Sequence, residues 1–442
     1  MIVMKFGGSS VADAERVRSM SDIVRQYMPR RPVLVLSAMG DTTNHLLAAA
    51  NSALKTGIVS TCKIEELHLK IIEELGLDVK IMPLIGELKN LLLGISMIKE
   101  LTKKTKDYLV SFGERLSVRI ASAYFRKTGV NAKPIDAWEA GFLSDDNYSQ
   151  AWLLKESWEL IPQKLIPLIE KSVLPVVTGF IAKTKDGVIT TLGRGGSDLT
   201  ATVIAAACGA EEAQVWKDVD GILSGDPRIV PSAKPLAFVT YEEAAELAYY
   251  GAQVLHPRSM QPCVKTGTPV LVKNSYNPSA PGTRIVAAVE KNGASKPVRA
   301  ITTRKNVTLV DIVSTRMVGQ SGFLEQVFAT FSKYGISVDM VATSEVSVSV
   351  TLDAAYRLDQ LREDLLKIAH IDIKTCKAIV TIIGDVERSS EILNRAFGVC
   401  LKLGIQVQMI SQGASKVNIS FIVNDTQATD VVRGLHKEFF DF

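Results

Sequence analysis

The feature that most constrains the fold is a unit that occurs twice near the start of the chain: a strand, a glycine-rich or polar loop and then a helix. Residues 2–6 and 32–37 are largely apolar, and the loops 7–10 and 38–44 follow them. A continuous apolar run is typical of a strand that is covered on both faces. The repeated order predicts right-handed βαβ units and therefore a parallel sheet.

Ligands of such sheets bind at the carboxyl ends of the strands. Residues that end or follow the first two strands are therefore predicted to lie at one edge of the sheet. They are Lys5, Gly7, Gly8, Ser37 and Thr43.

A second candidate site is the loop 191–198, which precedes an apolar helical run and holds three glycines. Glycines allow sharp turns and a close approach of the backbone to a ligand. Ser197 or Asp198 is predicted to cap the helix, whose start suits an anion. Arg194 adds a fork that matches a carboxylate or phosphate, so the loop suits a zwitterionic substrate. A glycine-rich turn that merely ends in an N-cap is the alternative interpretation.

Composition excludes several classes of protein. The 442 residues carry 51 basic and 47 acidic side chains, a net charge of +4 that does not indicate a nucleic-acid partner. The five cysteines form no CxxC pair, which argues against a zinc site or a disulfide framework and favours the cytoplasm. No apolar run reaches about 18 residues and no signal-peptide pattern is present, so no membrane association is predicted.

The motifs that remain favour phosphoryl transfer. The sequence has neither GxxxxGK[ST] nor GxGxxG after a strand, and its five histidines are too scattered to indicate a metal centre or a triad. Cations instead end predicted strands or turns, at Lys5, Arg194, Lys217 and Arg228. Phosphoryl transfer depends mainly on positioning and charge neutralisation. A carboxylate acceptor is already ionised at neutral pH and needs no general base.

The pattern changes after a Pro- and Ser-rich loop at 277–282, which is predicted to be a domain boundary. Residues 335–341 resemble 404–410 at an offset of 69, and the alternating strands that follow keep the same offset. Each copy has the predicted order strand, helix, strand, strand, helix, which indicates a duplicated small α+β domain. A dimerisation platform that binds no ligand is the alternative interpretation.

Three motifs together resemble those of aspartokinases within the amino acid kinase superfamily: residues 5–11, 191–198, and 216–221 with 226–228. Residues 110–115, in which Gly113 and Glu114 are predicted to open a helix, and residues 250–257 agree as well. The resemblance runs from end to end. It implies an α/β fold, an α/β/α sandwich with a mostly parallel sheet, followed by two α+β ACT-like modules of ferredoxin-like type. The expected boundaries are 1–285 for the kinase domain, 286–298 for a linker, and 299–376 and 377–442 for the modules; residues near 299–304 are expected to belong with the last module.

The resemblance implies phosphorylation of the β-carboxylate of L-aspartate by ATP with Mg²⁺. It assigns catalysis to Lys5, Arg194 and Asp198. Arg194 would hold the α-carboxylate of aspartate, Glu114 with Asp198 its ammonium group, and Ser37, Thr43 and Ser197 would complete the substrate site. The residues implied for the nucleotide are Lys5, Gly7, Gly8, Ser9, Lys217, Asp218, Leu223, Asp226, Arg228 and Gln253. Leu223 and Gln253 depart from many bacterial members, which have tyrosine and lysine there.

The repeated modules resemble ACT domains of the lysine-sensitive branch. This implies lysine as effector and a homodimer, or a dimer of dimers, through the modules. The implied effector residues are Met317, Ser321, Gly322, Phe323, Leu324, Asp339, Ser344 and Glu345. Threonine as effector, a kinase for another amino acid or a nucleotide monophosphate, and a regulator with an inactive kinase domain are the alternatives.

Overall fold

The structure is a computed structural model that describes residues 1–250, 255–288, 296–314, 321–353, 357–413 and 415–440. Two of the implied site residues, Gln253 and Met317, lie outside these ranges. The chain divides into two units. The first comprises Met1–Ile222, Pro235–Tyr241 and Val254–Val289, and the second Leu223–Lys234, Glu242–Gln253 and Glu290–Phe442. Among the described helices, none is long and apolar enough to cross a membrane.

Ten strands occur in the first unit. They are β1 (Ile2–Phe6), β2 (Pro32–Leu36), β3 (Ala132–Ile135), β4 (Leu174–Thr178), β5 (Ile181–Lys183), β6 (Ile189–Thr191), β7 (Ala213–Lys217), β8 (Phe238–Thr240), β9 (Val270–Asn274) and β10 (Thr283–Val286). Eight form one sheet in the order β3-β4-β2-β1-β7-β9-β10-β8, and β5 pairs with β6 as a hairpin. Only the β9–β10 pairing within the large sheet is antiparallel. The predicted, mostly parallel sheet is confirmed.

Helices cover both faces of this sheet. They are α1 (Ala14–Tyr27), α2 (Thr42–Thr56), α3 (Cys62–Leu75), α4 (Met82–Ile98), α5 (Lys103–Lys127), α6 (Ser157–Glu170), α7 (Gly196–Ala207) and α9 (Pro257–Thr266), whereas α8 (Tyr241–Tyr250) belongs almost entirely to the second unit. Ile2, Met4 and Phe6 pack with residues of α1 to α5 in one core. Side chains of a strand alternate between its faces, so Lys5 lies on the other face, beside α7. The α/β/α sandwich is confirmed.

Two local predictions about helix starts are wrong. Gly113 and Glu114 do not open a helix but lie in the middle of α5. A Cβ on Gly113 would lie 2.6 Å from the Ala38 Cβ, so this glycine lets α5 approach the loop after β2. Neither Ser197 nor Asp198 is the N-cap of α7, because the cap is Gly195 at φ 73° and both lie in the first turn.

The Pro- and Ser-rich loop at 277–282 does not end the first unit. The strand that follows it, β10, pairs with β9 on one side and β8 on the other. A composition change therefore marked a turn between two neighbouring strands rather than a boundary.

A six-stranded sheet and four helices account for most of the second unit. The elements are β11 (Val298–Val313), α10 (Phe323–Lys333), β12 (Val338–Thr343), β13 (Ser347–Asp353), α11 (Leu358–Leu365), β14 (His370–Gly384), α12 (Ser389–Lys402), β15 (Met409–Ser411), β16 (Asn418–Asn424) and α13 (Asp425–Phe440). The strand order is β12-β13-β11-β14-β16-β15, and every pairing is antiparallel.

The long strands β11 and β14 each serve both halves of this sheet. Val310 and Ile312, near the end of β11, pack in a core with residues of α10 and α11. Val298 and Ile301, near its start, pack instead with residues of α12 and α13. The first residues of β11 therefore lie with the second copy of the repeat.

The duplication is visible in equivalent turns. Gly335 and Gly404 have φ values of 66° and 67°, a conformation that favours glycine. Each is followed by an isoleucine, Ile336 or Ile405, whose N–H donates back into the preceding helix at 3.0 and 2.9 Å. The offset of 69 residues thus describes two copies of the same helix-ending turn.

Candidate active site

A cavity of about 520 Å³ opens in the first unit between the end of β1, the loop after β2, α5 and the loop before α7. Eight of the implied catalytic, substrate or nucleotide residues line it. They are Lys5, Gly8, Ser37, Thr43, Glu114, Arg194, Ser197 and Asp198. Residues from four separate stretches of sequence are thus brought to one place, at the carboxyl edge of the parallel sheet.

The strongest electrostatic contact of the cavity joins Asp198 to two lysines. Its Oδ1 lies 2.6 Å from the Lys5 Nζ, and its Oδ2 lies 3.5 Å from the Lys217 Nζ. Burial raises the pKa of Asp198, but the two ammonium groups outweigh burial and hold that pKa below its usual value. Burial lowers the pKa of Lys217, and Asp198 acts in the opposite direction. The buried Lys5 and Asp198 and the half-buried Lys217 form a cluster of two basic groups around one acid.

Glu114 provides a second acidic group with different properties. Its Oε1 accepts a hydrogen bond from the Ala38 N–H at 3.2 Å, and its Oε2 is buried with no hydrogen-bond partner among the described residues. Burial raises the pKa of Glu114 to about 8, although the Ala38 N–H and Lys5 act against it. In the structure without ligand, Glu114 is therefore largely protonated at neutral pH, and an incoming cation would favour its ionised form.

The glycine-rich loop presents Arg194 from a constrained backbone. Gly193 and Gly195 have φ values of 75° and 73°. A Cβ on Gly195 would lie 2.9 Å from the Cβ of His256, so the loop packs closely on the turn before α9. The His256 Nδ1 accepts a hydrogen bond from the Arg258 N–H and caps α9, so this histidine has a structural role. Arg194 itself is exposed at the cavity.

The turn after β1 is equally tight. A Cβ on Gly8 would lie 2.9 Å from the Ala38 carbonyl oxygen, and the Gly40 N–H donates to the Gly8 carbonyl at 3.1 Å. The two loops that follow β1 and β2 are therefore held against each other. Ser9 of this turn is exposed.

The residues implied for the nucleotide are divided between the units. Lys217 and the exposed Asp218 belong to the first unit, whereas Leu223, Asp226 and Arg228 belong to the second. Asp226 and Arg228 pair with each other at 2.7 Å. Their role toward a nucleotide stays a prediction.

The implied effector residues of the second unit have varied surroundings. Phe323 is buried in the core beneath α10, while Ser321, Gly322 and Leu324 around it are exposed. Asp339 lies 3.2 Å from the Arg304 guanidinium and accepts a hydrogen bond from the Tyr249 hydroxyl. Ser344 and Glu345 are exposed in the turn after β12.

One acidic residue that lines the cavity was missed by the sequence analysis. Asp107 lines it, is 1% exposed, and accepts hydrogen bonds from Ser149 and Thr191. It precedes Glu114 by seven residues, or two helical turns, so both lie on one face of α5. That spacing is the only signal in the sequence that links it to the site.

Comparison with known proteins agrees with this geometry. Residues 1–274 match the family described as Amino acid kinase family, and residues 310–358 and 380–439 match an ACT domain. Aspartokinase 1, chloroplastic, of Arabidopsis thaliana is 50% identical over 457 residues, covering 99% of this chain and 80% of the relative. This chain belongs to the aspartokinases.

Solved aspartokinase structures are also similar over the whole chain. Escherichia coli aspartokinase III in complex with aspartate and ADP, in the R-state, has a TM-score of 0.80 at 31% identity and full coverage of both chains. The same enzyme in complex with lysine and aspartate, in the T-state, has a TM-score of 0.79 at 33% identity and covers 100% of this chain and 99% of its own. This chain therefore has the fold of E. coli aspartokinase III.

Proposed function

We propose that this chain is an ATP-dependent aspartate kinase that transfers the γ-phosphoryl group of ATP to the β-carboxylate of L-aspartate. The observation that carries the proposal is the single cavity in which Lys5, Glu114, Arg194 and Asp198 converge. Basic side chains of this cavity would bind a phosphoryl group and a carboxylate, and its acidic side chains would bind an ammonium group. The complex of the similar E. coli enzyme with aspartate and ADP supports this choice of substrates.

The cluster of Lys5, Asp198 and Lys217 suits the transferred phosphoryl group. Asp198 orients two ammonium groups that would otherwise repel each other, so their charge is in place before the substrate binds. Preorganised charge of this kind stabilises a transition state without further reorganisation. The backbone of Gly7, Gly8 and Ser9 would add donors at the adjacent turn.

Aspartate recognition would use the opposite charges of the cavity. The Arg194 fork matches the α-carboxylate. Glu114 would bind the ammonium group after losing its proton, which an adjacent cation promotes. The β-carboxylate would then point toward Lys5, whose ammonium group lies beside Asp198.

We further propose that the nucleotide binds as its Mg²⁺ complex. Among the described residues, no group of three or more His, Cys, Asp or Glu side chains could hold a metal ion alone. Mg²⁺ commonly binds through phosphates with one or two carboxylates, and the exposed Asp218 of the first unit is an acid that the resemblance places at the nucleotide. The ion would neutralise charge on the phosphates.

Regulation by lysine through the ACT modules is the proposal for the second unit. The similar enzyme binds lysine in its T-state, and the modules repeat here in full. Leu324, Val341 and Val346 are 40 to 41% exposed on the first copy, which fits pairing with a second chain as a homodimer or dimer of dimers. Sequence favours the cytoplasm as the compartment, whereas the Arabidopsis relative is named as chloroplastic.

A steady-state assay that couples ADP release to NADH oxidation tests the proposal. Aspartate should support turnover, and glutamate, N-acetylglutamate and nucleoside monophosphates should not. Activity with one of the other acceptors would make this a different kinase of the family. Binding of amino acids without turnover of any acceptor would make it a regulator.

A further inference from the structure

Asp107 is buried, and its carboxylate accepts hydrogen bonds from two segments beside the glycine-rich loop, one at Ser149 and one at Thr191. Its Oδ2 accepts the backbone N–H groups of Ser149 and Thr191 at 2.7 and 2.9 Å. Its Oδ1 accepts the hydroxyl groups of the same two residues, each at 3.0 Å. These four donors come from two segments that are distant in the sequence. They occupy both oxygens of the Asp107 carboxylate, and none of the four is a cation.

Both segments lie close to Arg194, one along the chain and one through packing. Thr191 ends β6, three residues before Arg194. Ser149 has a φ of 71°, a strained conformation for a residue other than glycine, and the N–H bond to Asp107 helps to hold it. A Cβ on Gly193 would lie 3.1 Å from the Ser149 carbonyl oxygen, so Ser149 packs on the residue next to Arg194.

Other contacts complete the base of this loop without joining it to α5. The Ala151 N–H donates to the Thr191 carbonyl at 2.9 Å. The Arg258 guanidinium donates to the carbonyls of Leu192 and Ala151 at 2.9 and 2.7 Å. These bonds join the loop segments to each other and to α9, whereas Asp107 joins them to α5, the helix that carries Glu114.

We infer that Asp107 is a positioning residue that sets Arg194 relative to Glu114, and thereby the affinity for the amino-acid substrate. The inference rests on the proposed function, in which Arg194 and Glu114 hold the two charged groups of aspartate. Asp107 is only 1% exposed and all four of its hydrogen bonds are made within the protein, so it is placed to act through its partners rather than directly on the substrate. Its effect should therefore appear in aspartate binding and depend on Arg194.

The variant Asp107→Asn tests this, because an amide presents an NH₂ group where two donors now meet an oxygen. We expect the KM for aspartate to rise roughly 10- to 100-fold, as small misplacements of positioning groups do, while the KM for ATP changes by less than about threefold. In an Arg194→Ala background, the same change should raise the aspartate KM by less than about threefold, since the two residues act as one unit.

A matched control is Asp136→Asn. Asp136 is another buried carboxylate of the first unit, and it accepts two hydrogen bonds from Arg119 at 3.0 Å. We expect the Asp136→Asn substitution to lower Tm while leaving the KM values for aspartate and ATP near those of the parent. If Asp107→Asn fails to fold, Thr191→Val removes one of the four bonds and should still raise the aspartate KM selectively.

Equal increases of both KM values, or full additivity with Arg194→Ala, would overturn the positioning role. So would an unchanged aspartate KM in folded Asp107→Asn or Thr191→Val. An assay of the parent enzyme distinguishes failure of this inference from failure of the proposed function. If it phosphorylates aspartate but Asp107→Asn is normal, only this inference fails, whereas a parent without aspartate kinase activity overturns both.

Discussion

The cavity of the first unit and the residues proposed to bind the effector in the second unit differ in how deeply their side chains are buried. In the first unit, Lys5, Glu114 and Asp198 are buried around one cavity, and Lys5 and Asp198 are 2.6 Å apart. In the second unit, Phe323 is buried in a core, while Ser344 and Glu345 are exposed. The geometry of the first site is thus set by the fold, whereas two of the residues proposed for the second site lie on the surface.

This difference predicts two scales of effect. Buried charges act on each other in a low dielectric, so a change to one alters turnover or affinity strongly. An effector instead acts through the difference between its affinities for two conformations. That difference is typically about 1–3 kcal/mol, which bounds what a variant of the effector site can change.

The largest effect is expected from Lys5→Ala. It removes a preorganised cation from Asp198, and such donors typically contribute roughly 10²–10³-fold to turnover. We expect kcat to fall by this factor in steady-state assays. Lys273→Ala, which changes another buried lysine of the same sheet, is the control and should keep most of the turnover. Near-normal turnover of Lys5→Ala would remove Lys5 from the mechanism.

Arg194→Lys comes next. Lysine keeps the charge but not the fork, and a hydrogen bond to a charged group is worth about 1.5–3 kcal/mol, so the KM for aspartate should rise roughly tenfold or more. The KM for ATP should change little. Arg284→Lys, at an ion pair with Glu212, is the control. A parallel rise of both constants would place Arg194 in a structural or nucleotide role.

The third expectation concerns pH and Glu114. Its pKa is about 8 without ligand, so a proton must leave when the aspartate ammonium binds below that pH. Apparent aspartate affinity should therefore increase up to about tenfold per pH unit as the pH rises toward 8, then level off. Calorimetry in buffers of different ionisation enthalpy would measure the released proton, and Glu114→Gln should release none.

The raised pKa of Glu114 also predicts how the free energy of unfolding depends on pH. The folded chain keeps this proton up to about pH 8, whereas the unfolded chain loses it near 4.5. The free energy of unfolding of ligand-free protein should therefore fall as pH rises between these values, and Glu114→Gln should flatten that slope. A slope identical in both proteins would place the titration on another group.

The smallest effect is expected in the second unit, from Glu345→Ala. Loss of an acid for the effector ammonium should raise the lysine concentration for half-inhibition by about fivefold or more, with uninhibited kcat retained. Glu363→Ala changes another exposed acid of the same copy and should have no effect. A threonine response without a lysine response would overturn the assignment of the effector.

Local patterns predicted much of this architecture. The apolar runs gave β1 and β2 because strands covered on both faces must be apolar. The N-cap of α7 and the helix around Gly113 were wrong because both depend on tertiary contacts, with His256 and Ala38 respectively. Asp107 was missed because its partners lie 42 and 84 residues away. Sequence spacing carries no trace of such contacts.

The most direct test of the central claim is chemical identification of the product. With ATP and aspartate, an acyl phosphate should form and hydroxylamine should convert it to the β-hydroxamate of aspartate, detected by mass spectrometry. The account predicts that the parent enzyme forms the β-hydroxamate and that Lys5→Ala forms almost none. A hydroxamate at the α-carboxylate, or ADP release without any hydroxamate, would contradict it.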